Sequence, residues 1–82
     1  MIPRIKEITA MDKFLLKILF DDGKEVLYDL NDDINQLPEF SDLKKQKGLF
    51  ENFFLDKSRT VVSWTDLIEL PSDTLYEYGK EI

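Results

Sequence analysis

Two apolar runs on either side of a short polar turn constrain this chain more than any other feature. Phe14-Leu15-Leu16-Lys17-Ile18-Leu19-Phe20 leads into Asp21-Asp22-Gly23, and Lys24-Glu25-Val26-Leu27-Tyr28-Asp29-Leu30 follows. Strand-forming residues on both sides of Asp-Gly predict a β-hairpin. A two-residue loop at Asp22-Gly23 sets Phe20 opposite Glu25 and Leu16 opposite Asp29, which mixes carboxylates with the large apolar groups. A three-residue loop over Asp21, Asp22 and Gly23, with Gly23 at positive φ, instead sets Ile18 opposite Val26, Leu16 opposite Tyr28 and Phe14 opposite Leu30. A slip of one residue turns every side chain over, so the wholly apolar face selects the three-residue loop.

The other face of this hairpin carries Leu15, Lys17, Leu19, Glu25, Leu27 and Asp29, a mixture that is neither core nor ordinary solvent surface. Two covers fit it: another element of the same chain, or a protein partner or second copy meeting Leu15, Leu19 and Leu27. Near the other end of the chain, Tyr76 and Tyr78 are the aromatic side chains best placed for partial exposure, and they complete the set of candidate interface residues.

The remaining elements are short. Arg4 to Thr9 reads as a first strand, with a bulge or strand end near Lys6-Glu7 needed to bring Ile5 and Ile8 to one face. Asn31 to Pro38 leaves room for one short turn. Ser41 is a candidate N-cap for a helix over Asp42 to Lys47, stopped by Gly48. Leu49 to Phe54 suits a further helical turn with Phe50, Phe53 and Phe54 on one core-facing side. Asp56 to Arg59 suits a reversal, Thr60 to Trp64 a strand, and Ile68 to Leu70 a short extension pairing nearby. Pro71-Ser72-Asp73 marks a helix start, and Thr74 to Tyr78 a brief helix before Gly79. Strands with short helices between them predict one α+β domain over residues 1–82, with a mainly antiparallel sheet covered on one side.

Composition narrows function by exclusion. There is no His and no Cys among the 82 residues, which removes the commonest general base, metal ligand and strong nucleophile together and points to a reducing compartment, the cytoplasm. The amino terminus lacks a signal-peptide apolar core, and no stretch approaches a membrane span. Seventeen acids against eleven bases give a net charge of −6, which repels phosphate backbones at long range.

Local exceptions are few. Lys44, Lys45 and Lys47 form a basic cluster; with Lys57 and Arg59 they define an alternative, a regulator that touches nucleic acid once a partner adds positive charge. Tyr28, Trp64, Tyr76 and Tyr78 are the rings that would stack on bases if exposed. The acid pairs Asp21-Asp22, Asp32-Asp33 and Glu69 with Asp73 arise readily by chance in so acidic a chain, and adjacent turn carboxylates are ordinarily solvated loop residues with ordinary protonation behaviour. Asp29, Asn31 and Asp33 match the first three ligand positions of a calcium loop, but Ile34 stands where the turn glycine belongs and Phe40 where the closing Glu belongs. A hydrolase using Mg²⁺ at Asp29 and Asp32-Asp33 ranks last, since no positioned base accompanies them. The isolated Gly23, Gly48 and Gly79 make no phosphate cradle. These residues predict no catalytic site, cofactor or metal.

Several of these segments, taken in order, resemble the bacterial family catalogued as domain of unknown function 2442. Pro3-Arg4-Ile5 is similar to its opening strand, Phe20-Asp21-Asp22-Gly23 to its hairpin, Tyr28-Asp29-Leu30 to its third strand, Leu49-Phe50 to its central helix, and Val62-Ser63-Trp64 with Leu75-Tyr76 to its closing segment. Relatives commonly follow the tryptophan with Pro-Asn-Gly and an Asp, where this chain has Thr65-Asp66-Leu67-Ile68-Glu69. The resemblance implies a small two-layer α/β domain, often encoded beside another small protein in a toxin–antitoxin-like arrangement, and no established activity. It therefore points to a non-catalytic protein-interaction domain.

Overall fold

A computed structural model describes residues 2–82. The described chain is an α+β domain built on two antiparallel sheets. The first has four strands in the order β1-β2-β3-β7: β1 (Ile5–Met11), β2 (Leu15–Phe20), β3 (Glu25–Asp29) and β7 (Lys80–Glu81). The second has three, β4 (Phe54–Leu55), β5 (Val61–Thr65) and β6 (Ile68–Pro71), in that order. Between β3 and β4 lie α1 (Asn31–Gln36), a 3₁₀ turn (Pro38–Ser41) and α2 (Asp42–Lys45), and α3 (Ser72–Tyr78) precedes β7.

The hairpin has the three-residue loop and the register that its apolar face demands. Ile18 pairs with Val26 and Leu16 with Tyr28, while Phe20 and Lys24 close the loop through the Phe20 amide on the Lys24 carbonyl at 2.9 Å. Gly23 stands at φ +95° with nothing within 4 Å of where a Cβ would project, so the backbone conformation alone requires glycine there. The first strand begins and ends later than expected, at Ile5 and Met11, and slips register between Ile5 and Glu7. That bulge puts Ile5 opposite Phe20 and Ile8 opposite Ile18, on the core side.

Between β1 and β2, Lys13 and Phe14 stand at φ 63° and 61°, a left-handed pair without glycine. Partners hold the strained turn: the Asn31 Nδ2 donates to the Lys13 carbonyl at 2.8 Å and the Leu30 amide to the Phe14 carbonyl at 3.0 Å. Phe14 consequently lies in the turn rather than in the strand, yet its ring still reaches the core edge-on to Phe50 at 5.3 Å.

One apolar core serves both sheets. Ile5, Leu16, Ile18, Phe20 and Val26 enter from the four-stranded sheet, Val62, Trp64, Ile68 and Leu70 from the three-stranded sheet, and Ile34, Leu43 and Leu75 from the helices. Trp64 lies parallel to Phe50 and donates its indole N–H to the Phe50 carbonyl at 2.8 Å, so the largest ring enters the core with its polar atom satisfied.

Three expectations fail for tertiary reasons. Ser41 is not an N-cap: it has helical φ and ψ, because the preceding 3₁₀ turn runs straight into α2, and its hydroxyl donates back to the Pro38 carbonyl at 2.7 Å. Leu49 to Phe54 is a turn leading into β4, not a helix. Phe54 pairs with Ser63 on the side of the small sheet away from the core and is 59% exposed, whereas Phe50 is buried. The chain beyond Gly79 adds β7 to the first sheet, with Leu27 opposite Lys80.

Hydrogen bonds join the two sheets at the chain's first residues. The Ile5 amide donates to the Arg59 carbonyl at 2.8 Å and the Ser72 hydroxyl to the Pro3 carbonyl at 2.6 Å.

Candidate functional site

Alternation along β2 and β3 sends Leu15, Leu19 and Leu27 to the side of the sheet opposite the core. The helices deliver their apolar residues to the core side, and none of the three leucines belongs to the core; each remains partly open to solvent. Pairing fixes the layout of this outer face. One row across the sheet is Glu7, Leu19 and Glu25, the next is Thr9, Lys17, Leu27 and Lys80, and the third is Met11, Leu15 and Asp29. Ile82, two residues beyond Lys80 and bonded through its amide to the Glu25 carbonyl at 3.0 Å, extends the first row. Lys17 and Glu25 approach to 3.9 Å across neighbouring rows, both substantially exposed, so their attraction is screened by water. The outer face is thus an apolar patch with charges of both signs distributed through it.

Tyr76 and Tyr78, the other candidate interface residues, are not part of this face. Both belong to α3, which packs on the core side: a Cβ on Gly79 would fall 2.8 Å from the Val26 side chain. Tyr76 sits edge-on to Phe20 at 4.9 Å, and Tyr78 stands 76% exposed.

Tyr76 instead helps to line an open cleft of about 1330 Å³ at the hairpin-loop end of the molecule, among Pro3, Arg4, Asp22, Lys24 and Glu77. The loop carboxylates there are committed rather than simply solvated. Asp21 receives both guanidinium nitrogens of Arg59 at 2.8 Å, and this hydrogen-bonded pairing holds the Asp21 carboxyl below its usual range and raises Arg59. Asp22 accepts the Tyr76 hydroxyl at 2.6 Å and the Lys24 amide at 2.9 Å, which lower its pKa in that order, and the bond to Asp22 raises the pKa of Tyr76. Lys24 lies 4.0 Å from the Tyr76 ring centroid and donates to the Tyr76 carbonyl at 3.0 Å. Every one of these contacts joins residues of the chain to one another, so the cleft wall is a set of internal clasps.

The same is true of Asp29 and Asp33, the two acids of the calcium-loop pattern. Asp29 accepts the Asn31 amide at 2.8 Å and the Asn31 Nδ2 at 2.7 Å, and Asp33 accepts the Tyr28 hydroxyl at 2.9 Å. Burial raises the Asp33 carboxyl and, with the Asp33 bond second, raises the Tyr28 hydroxyl. Ile34 and Phe40, which break the calcium-loop pattern, are core residues. Among the described residues no three acids stand together as a metal site would need.

The basic residues divide between two regions. Lys44 and Lys47 line a smaller cleft of about 330 Å³ beside Lys13 and the strained turn, at the opposite end of β2 from Asp21. Arg59 is held at the hairpin loop by Asp21 and also donates to the Ile5 carbonyl at 3.2 Å. A single continuous track through Lys44, Lys47 and Arg59 is therefore not formed.

The Arg59–Asp21 clasp, which spans 38 residues of sequence, had no local signal; the three leucines had one, the alternation that turns them away from the core. Compared with known proteins, the chain matches no family model, no curated protein and no solved structure.

Proposed function

We propose that this chain is a non-catalytic protein-interaction domain that docks a partner on the outer face of its four-stranded sheet. The observation that carries the reading is the position of Leu15, Leu19 and Leu27, aligned on one side of a sheet whose helices all serve the other. Apolar side chains on a two-sided sheet gain most when a second layer excludes water from them. The family resemblance supplies the kind of partner, a small protein encoded alongside. The lack of Cys suits a reducing compartment such as the cytoplasm, and no helix of the described chain is long and apolar enough to cross a membrane.

The alternative, a regulator contacting nucleic acid, has less support. Net charge opposes it, and Arg59, one of its five basic residues, is occupied by Asp21.

The test changes Leu15, Leu19 and Leu27 together to Lys and compares co-purifying proteins from the native host with those of the parent chain. Circular dichroism confirms that the variant is folded. The expected result is loss of at least one protein that the parent retains; identical partner sets overturn the surface assignment.

A further inference from the structure

Building on the reading of the outer face as a docking surface, we infer that a second copy of this chain covers that face in the free protein. The two copies pack about a two-fold axis along the Leu19–Leu27 diagonal, and any other partner must displace the second copy.

The inference rests on how the face maps onto itself. Strands β2, β3 and β7, crossed by the three rows, form a lattice centred on Leu27. Two sheets packed by a two-fold axis in the plane between them set each position of one copy against the position reflected across that axis in the other. Four axes through Leu27 follow the lattice. The axis along β3 sets Lys17 against Lys80 and both Glu25 and Asp29 against themselves. The axis along the central row sets Glu25 against Asp29 and each lysine against itself. Both therefore bring like charges together out of water. The Leu15–Leu27–Ile82 diagonal pairs the charges correctly but sets Leu19 against a corner where β7, which begins at Lys80, has no residue.

The Leu19–Leu27 diagonal matches every position. Lys17 meets Glu25 of the other copy, Asp29 meets its Lys80, Leu15 meets its Ile82, and Leu19 and Leu27 meet themselves. Lys17 and Glu25 also stand 3.9 Å apart within one chain, so four charges of alternating sign gather around the axis. Such self-complementarity is what an isologous interface requires and what a face built for an unrelated partner does not need. Strands about 4.8 Å apart and rows about 6.8 Å apart offset each charge pair by about 3 Å, and Leu15 from Ile82 by about 6 Å, within side-chain reach across sheets about 10 Å apart. The strands of the two copies then cross at about 70°, towards the orthogonal class of sheet packing. Glu7 falls at the rim beside the other copy's hairpin loop, where Asp21 is already held by Arg59.

The overlap is a planar patch of about 300 Å² per copy, against roughly 800 Å² per partner in a standard stable interface. A net charge of −6 on each copy also opposes association at low salt. The pair is accordingly weak and reversible, with a Kd on the order of 100 μM at 0.15 M salt.

The test combines sedimentation equilibrium with amide shifts of isotope-labelled protein in about 0.15 M NaCl, from about 10 μM to 1 mM. It compares the parent, Lys17→Glu, Glu25→Lys and an equimolar mixture of the two variants, with circular dichroism confirming that each is folded. Either variant alone sets like charges across the axis. The mixture restores opposite charges between chains while the pair within each chain stays repulsive, so rescue isolates the contact between copies. Glu25→Lys also reduces the net negative charge of each copy, so weaker association of that variant reports the local pair alone. Expected are a monomer–dimer equilibrium of the parent that shifts the Lys17, Leu19, Leu27 and Lys80 amides, weakening of about fivefold or more in each variant, and recovery to within about threefold of the parent in the mixture. Three results overturn the inference: no association up to about 1 mM, shifts confined to β1 that mark edge-to-edge pairing, or a mixture no tighter than its components, which removes the Leu19–Leu27 axis. If the parent does not associate while the triple lysine variant loses a native partner, the docking surface stands and the second copy is wrong. If the copies associate as expected while that variant keeps every partner, the second copy stands and the docking of another protein fails.

Discussion

The two faces of the four-stranded sheet are made by the same strands, in one register, from similar residues, and they have different fates. Ile18 and Leu19 are neighbours in β2: Ile18 is 0% exposed inside the core, whereas Leu19 points away from it into partial contact with water. Intrinsic strand preference does not separate them. What differs is the presence of a second layer, supplied on one side by the small sheet and the helices. Burial in this domain is therefore a property of the face and is only indirectly a property of the residue.

The sharpest way to break that contrast is to place the same charge on both sides. Ile18→Lys buries an unpaired ammonium and is expected to cost more than about 5 kcal/mol, enough to abolish cooperative unfolding in a domain of ordinary stability. Leu19→Lys lays its aliphatic stem along the strand with the charge in water, at a cost of about 1 kcal/mol or less. Equal urea midpoints for the two variants would show that the faces are not distinct.

Gly79→Ala tests the layer itself. The added Cβ meets the Leu75 carbonyl at 2.6 Å and the Val26 Cβ at 2.8 Å, both part of tightly packed structure, so α3 must move off the inner face. The expected loss is about 1–3 kcal/mol in denaturant unfolding, and an unchanged midpoint would mean that the close approach of α3 to Val26 is not required.

Gly23 fixes which residues belong to which face. At φ +95° and in open space, Gly23→Val strains only the backbone, at about 1–2 kcal/mol, and Gly23→Asn is tolerated better. If thermal melting gives one midpoint for both variants and the parent, the loop geometry does not set the register.

The smallest effects concern pH and come from the clasps that hold the inner layer in place. Asp21, Asp22 and Asp56 are depressed below 3.8, chiefly by Arg59, Tyr76 and Ser58 respectively. Their contribution is fully present above 3.8 and lost as pH falls through their lower folded values. Asp33, raised mainly by burial, acts oppositely and offsets part of that loss. On the alkaline side Tyr28 and Tyr76 are raised above 10.0, so the stability they contribute is complete below 10.0 and declines as pH climbs towards their folded values. Urea midpoints measured across pH should show both limbs, with the alkaline limb shallower in Tyr28→Phe; an identical limb in that variant removes Tyr28 as its source.

How much of this was legible in sequence follows from distance along the chain. The hairpin loop, the Leu16–Tyr28 register and the outward leucines rest on alternation and turn chemistry within a few residues, and they were readable. The bulge after Ile5 was readable too, because the spacing of Ile5 and Ile8 demands it. The division into two sheets depends on Ile5 meeting Arg59 and on Ser72 meeting Pro3, partners 54 and 69 residues apart, for which no local pattern exists. Ser41 misled because its local signature is that of a cap, while the preceding turn already supplies a helical entry. The left-handed pair at Lys13 and Phe14 lacks the glycine that normally announces such a turn, its conformation being held by Asn31 from outside. At the site, the leucines were visible as a face, but the committed roles of Asp21, Asp22 and Tyr76 were not, because each depends on a distant partner.

The seam between the sheets has a consequence for the order of events as the chain folds. The hairpin closes over three loop residues and can form on a microsecond scale, of about 1–10 μs, as soon as its strands exist. The Pro3–Ser72 bond must instead close a loop of 69 residues, with the entropy of that closure lost before its contacts form. During synthesis the inner face of β2 therefore gains its cover in stages as Ile34, Leu43, Phe50 and Trp64 emerge, and the cover is complete only after Ser72 and Leu75 have left the ribosome.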